Sequence, residues 1–161
     1  MKSRTAAAVA LSAALLLGTT GCTFGAEIAT NIEYEPSDGV GGTVGDLQLR
    51  NALLIGEDGD VLNLVVSVAN SSDSTRSLTV QWEGEGGRES AEFFVPAGEL
   101  VSIGADEEVL VTGTDATIGS LVPVFFQYGD EPGTELLVPV LDGALPEYEL
   151  YVPEADPEST D

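Results

Sequence analysis

Three places in this 161-residue chain combine residue types and spacings that could do chemistry: Cys22, the acidic turn "GEDGD" at 56–60, and the glycine run "DGVGGTVGD" at 38–46. Cys22 is the only cysteine, the chain has no histidine, and its one methionine is Met1. A lone thiol can act as a nucleophile, a metal ligand, half of an intermolecular disulfide or a site of covalent modification. Glu57, Asp58 and Asp60, with Asp73 further on, offer the hard oxygen donors that Ca²⁺ takes. The glycine run invites a phosphate-cradling reading.

Most of this chemistry fails on inventory. A serine nucleophile needs a base beside it, ordinarily His or Lys, and the only lysine is Lys2. The glycine run lacks both the lysine of a phosphate-binding loop and the strand-then-helix setting of a dinucleotide fingerprint. It is expected to be a flexible connection between the first two strands. "GEDGD" does not follow the Asp-x-Asp-x-Asp-Gly order of a calcium loop, so Asp58-Gly59 is read as a solvated hairpin turn. A pair of carboxylates could in principle hydrolyse a glycosidic bond, but 28 Asp and Glu residues supply such pairs by chance, and nothing marks a cleft. No catalytic residue and no cofactor is assigned, and the chain is expected not to be an enzyme.

Cys22 is decided by what precedes it. Basic Lys2 and Arg4 are followed by an apolar run over 6–17 and by small residues at 18–21. That is the tripartite pattern of a secretory signal peptide, and twelve apolar positions fall short of a membrane-spanning helix, which needs about 20. Cleavage before a cysteine preceded by Thr-Gly resembles the lipobox of bacterial lipoproteins, in which the sulfur receives a diacylglyceryl group; the match departs at Thr19, where leucine is favoured. Cys22 is therefore expected to be the lipid-attachment (palmitate-bearing) residue, with two or three acyl chains holding the protein stably to a membrane. The expected organisation is a signal peptide over 1–21, a tether over 22–27, one folded domain over 28–152 and an acidic, apolar-poor tail over 153–161.

Removal of the signal peptide would leave Arg50, Arg76 and Arg88 against all 28 carboxylate residues. Such a charge repels phosphate backbones and argues against nucleic-acid partners. Electrostatic attachment to an anionic membrane surface is excluded on the same ground.

The domain itself reads as β-structure. Leu62, Leu64, Val66 and Val68 alternate with Asn63 and Ser67, and Leu78, Val80 and Trp82 alternate with Ser77, Thr79 and Gln81, placing Trp82 in the core. Strands are expected near 28–34, 46–55, 61–69, 77–83, 90–95, 99–103, 107–112, 121–128 and 134–140. Gly-rich turns at 56–60, 84–88 and 129–133 separate them. Pro123 and Pro139 fall inside strands and should sit at an edge or a bulge, because neither can donate to a ladder. No segment makes a persuasive helix. The fold class is an all-β sandwich.

Four phrases carry a family resemblance: "YEPSDGVGGTVGDLQLRNALLI" at 34–55, "VPAGELVSI" at 95–103, "IGSLVPVFFQY" at 118–128 and "LLVPVLDGALPEY" at 136–148. In this order, behind the lipobox, they resemble the LpqE-type lipoproteins of actinobacteria, distant relatives of the PCuAC copper-chaperone domain. The resemblance implies an immunoglobulin-like or cupredoxin-like antiparallel β-sandwich and, for the copper-binding relatives, Cu(I) held by His and Met. Those soft ligands are absent here, so no copper-site residue carries over. The sequence thus leads to a secreted, lipid-anchored, non-catalytic sandwich in the cell envelope, on the extracytoplasmic face of the membrane. Its expected partners are the membrane, through Cys22, and an envelope protein or wall component. The alternative is a chaperone-like metal-handling protein taking Ca²⁺ or Cu(II) on carboxylates.

Overall fold

The computed structural model describes residues 37–153, together with Ala6 and Ala7. Most of the expected signal peptide, Cys22, the expected tether, the strand predicted over 28–34 and the chain beyond Pro153 lie outside the described residues. Nine strands follow in order: β1 Val40–Val44, β2 Leu47–Ile55, β3 Val61–Asn70, β4 Arg76–Gly84, β5 Gly87–Val95, β6 Leu100–Ile103, β7 Leu110–Thr112, β8 Leu121–Tyr128 and β9 Thr134–Leu141. After β9 comes a single 3₁₀ turn, Glu149–Tyr151.

These strands form an all-β sandwich made from one curled sheet in the order β5-β4-β8-β9-β2-β3-β6, with β1 paired to β2 and β7 to β3. All pairings are antiparallel but one. β9 meets β2 in parallel at Leu54↔Val140 and Ile55↔Leu141, and this short contact carries the sheet from one layer into the other. Alternation does the rest: Leu62, Leu64, Val66 and Val68 from one layer face Leu78, Val80, Trp82, Val124 and Phe126 from the other, and nearly all are fully buried. Trp82 is 6% exposed.

Pro123 and Pro139 occupy strands that lie inside the sheet, yet each falls where its strand has one partner. β8 pairs with β9 over 121–126 but with β4 only over 125–128, so Pro123 has no β4 neighbour to receive an N–H. β9 meets β2 only from Val140 onward, one residue past Pro139. Each imino nitrogen sits at a local edge, so no ladder hydrogen bond is lost.

The glycine run corrects one expectation. Residues 40–44 are not a flexible connection but strand β1, bulged between Val40 and Gly42 against β2. The glycines serve close approach. A Cβ on Gly39 would lie 2.7 Å from the Asn51 backbone carbon, and one on Gly42 would lie 2.9 Å from Leu136. Gly45, at φ +51°, makes the turn into β2 beneath the Tyr128 hydroxyl, which accepts a hydrogen bond from the Asp46 N–H at 3.0 Å. Arg76 pairs with the Asp46 carboxylate at 2.9 Å and stands over the Tyr128 ring.

Asn63 is one of two buried polar residues among those described. It is on the face opposite Leu62 and Leu64, as the alternation requires, but it is 1% exposed. Its Nδ2 donates to the Gly104 carbonyl at 2.9 Å and the Tyr151 carbonyl at 3.1 Å, and its Oδ1 accepts the Val109 N–H at 2.9 Å. One amide thereby holds both ends of the β6–β7 loop and the C-terminal 3₁₀ turn. Asn70, at the far end of β3, repeats the device on the Ser74 and Val95 carbonyls.

Replacing Asn63 with Ala leaves three backbone groups without their partner, each costing on the order of 1–3 kcal/mol if water does not reach it. Urea denaturation of Asn63→Ala should show a loss of about 3 kcal/mol or more, against less than about 1 kcal/mol for Ser67→Ala on the same face. The C-terminal segment is also tied by Tyr148, whose hydroxyl donates to Asp38. That hydrogen bond, with lesser help from burial and the charges of Asp38 and Glu147, pushes the Tyr148 pKa up to about 12. Because the folded value is raised, the contribution is intact below pH 10 and fades as pH rises towards 12. Absorbance titration at 295 nm should show a tyrosine step near pH 12 that Tyr148→Phe removes.

Candidate functional site

Two surfaces on the described residues combine shape with chemistry, beside a wider hollow of about 700 Å³ lined by Glu57, Asp142 and Glu149 that lies largely open to solvent. The first is an open cleft of about 530 Å³ at one end of the sandwich. The β2–β3 turn brings Gly59 and Asp60, the β4–β5 turn brings Glu85, Glu89 lies at the start of β5, and Asp115 follows β7. Four carboxylates from four segments thus surround one space, an assembly that the sequence did not foretell because only Asp60 had been singled out.

The turn at 56–60 is the hairpin turn expected from the sequence. Asp58 Oδ1 accepts the Asp60 N–H at 3.0 Å, closing the turn on itself, and the side chains of Asp58 and Asp60 are exposed. Gly59 is buried rather than solvated. At φ +110° it packs on the Ala116 carbonyl, which a Cβ would approach to 2.3 Å. Asp73 is elsewhere, in the turn before β4, where its Oδ1 accepts from the Ser74 hydroxyl.

Among the described residues no three His, Cys, Asp or Glu side chains are grouped so as to hold a metal ion. Of the buried polar atoms without a partner, Thr114 Oγ1 is on a residue lining the cleft and Trp82 Nε1 is on the residue directly across the ladder from Glu89. The indole N–H only donates, and one hydroxyl oxygen falls short of the several oxygen ligands that Ca²⁺ takes. Residues 37–153 contain no His, Met or Cys, so Cu(I) has no soft side-chain donor among them.

The second surface is the outer face of β8 and β9. Register places Leu121 beside Pro139, Pro123 beside Leu137, and Phe125 beside Glu135. Leu121 is 56% exposed and Leu137 is 52% exposed, and Pro123 is exposed between them. Five apolar side chains therefore lie together facing solvent, with Glu135 the one charged residue on either strand. In a domain this acidic, such a patch stands out against its surroundings. The sequence concealed it because "LVPVFFQY" and "ELLVPVL" are apolar on both faces, and alternation cannot say which side is covered.

Cys22 lies outside the described residues. No protein-family model matches the chain, and no curated protein matches it.

A calorimetric titration of the purified protein with Ca²⁺, Cu²⁺ and Cu⁺ should find no one-to-one site tighter than about 10 μM, in keeping with carboxylates that are grouped but not convergent. A stoichiometric site tighter than that would restore the metal-handling alternative.

Proposed function

We propose that this protein is a secreted, lipid-anchored β-sandwich of the LpqE-like kind that works without catalysis, as a binding or accessory module on the extracytoplasmic face of the membrane. The observation that carries the reading is the apolar run 6–17 leading through small residues to a lone cysteine. No helix among the described residues is long and apolar enough to cross a membrane. A lipid on Cys22 supplies what the folded part does not.

The non-catalytic part of the proposal rests on residue chemistry. The mature chain would have no imidazole, lysine or free thiol, and the tyrosine with a shifted pKa, Tyr148, is moved away from reactivity at neutral pH. The all-β body gives such a module a rigid display surface, and its acidity keeps it soluble and unattached to anionic lipid or nucleic acid. A cation-handling role draws no support from the cleft.

Growth of the native host with a radiolabelled fatty acid should label the wild type and leave Cys22→Ala unlabelled. The variant should also leave the membrane fraction and appear in the soluble extracytoplasmic fraction. Equal labelling and equal membrane association of the two would overturn the proposal.

A further inference from the structure

The outer face of β8 and β9 presents Leu121, Pro123, Phe125, Leu137 and Pro139 as one contiguous apolar patch. Exposed apolar side chains scattered singly need no explanation, but two adjacent cross-strand pairs with Phe125 next along the strand form the kind of patch that a soluble domain retains for contact. The two prolines make the patch rigid, since each fixes its own backbone φ, so little order would have to be imposed on binding.

Charge decides among the occupants. The three arginines of the described residues are already engaged: Arg76 with Asp46, Arg88 with Glu83, and Arg50 with the Gln48 carbonyl oxygen. Only Glu135 is charged on the two strands themselves, and the formal net charge of the whole chain is −23. A second copy of the chain would bring the same excess of carboxylates to the contact. An anionic lipid surface would be repelled in the same way. A protein with an apolar centre and a rim of Lys and Arg meets both the patch and the field around it.

We propose that the outer β8–β9 face is the docking surface for an envelope protein whose contact area is apolar at the centre and basic at the rim. This rests on the accessory-module reading and names the working face and the chemistry of the partner. The patch supplies affinity, and the acidic surroundings supply attraction over distance and rejection of acidic competitors.

The test uses the anchored, full-length protein in its own cells, with a photocrosslinking residue at Leu137 or at Leu121. A third variant with the crosslinker at Ser102, exposed on β6, serves as control. The expected result is a protein adduct from Leu137 and Leu121 that is absent from Ser102. With that partner purified, Leu137→Glu should weaken binding about thirtyfold or more, as replacing a central apolar contact with a charge buried unpaired requires. Raising the salt from about 50 to 300 mM should weaken wild-type binding about tenfold, because rim charges are screened. Leu137 is half-exposed, so Leu137→Glu should melt within a few degrees of wild type, separating lost contact from lost fold.

No adduct above the control would overturn the proposal, as would an adduct joining two copies of this chain. Binding indifferent to Leu137→Glu would remove the patch, and binding indifferent to salt would remove the basic rim. Failure of fatty-acid labelling at Cys22 leaves these readouts untouched, so loss of the anchor and loss of the docking face are told apart.

Discussion

The Asn63 side-chain amide is the constraint on which the closed end of this sandwich depends. It is fully buried, so its polar atoms must find partners within the protein, and they find them on three segments that have no strand pairing with one another: Gly104, Val109 and Tyr151. The β6–β7 loop carries an acidic run, Asp106-Glu107-Glu108, that would otherwise have reason to move into solvent. With both ends of the loop fixed to Asn63, β7 is delivered to its short pairing with the start of β3. The same amide brings the C-terminal segment back across the sheet, where Tyr148 reaches Asp38. Asn70 does the equivalent work at the other end of β3, so that one strand holds the connections at both ends of the domain.

With those connections fixed, the layers close by burying apolar faces, and no disulfide or metal is called on. The consequence for function is a division of labour. The inner faces are consumed by the core, the loop end is acidic and open, and the outer β8–β9 face is apolar and rigid. The glycines of β1 and the prolines of β8 and β9 belong to the same logic: each stands where a side chain or an N–H would interfere with packing or pairing.

Much of this was legible in the chain. Strand β8 spans the residues its pattern predicts, 121–128, and β2, β3, β4 and β9 begin and end within a residue of expectation, because period-two alternation and glycine turns are local signals. Trp82 was placed in the core by the face it shares with Leu78 and Val80. Strand β1 was missed because glycine ordinarily marks freedom, and only the close approach of Leu136 and Asn51 shows why it is needed there. β5 extends three residues earlier than its pattern suggests, since pairing with β4 continues to the turn at Gly84↔Gly87. Asn63 and Ser67 looked alike in sequence. What separates them is a loop and a helical turn that arrive from 41 and 88 residues away.

The sequence by itself determined the all-β class, the excess of carboxylates, the absence of soft metal ligands and the singular position of Cys22, since each of these is a matter of composition or of local order. Tertiary structure alone decided that four carboxylates from separate turns ring one cleft without converging on a metal geometry. It alone decided that of two strands apolar on both sides, one side is sealed and the other left to water. Local pattern fixes which way side chains alternate; which of the two faces is covered depends on elements far away in the chain, and that is settled only when the sheet curls and closes.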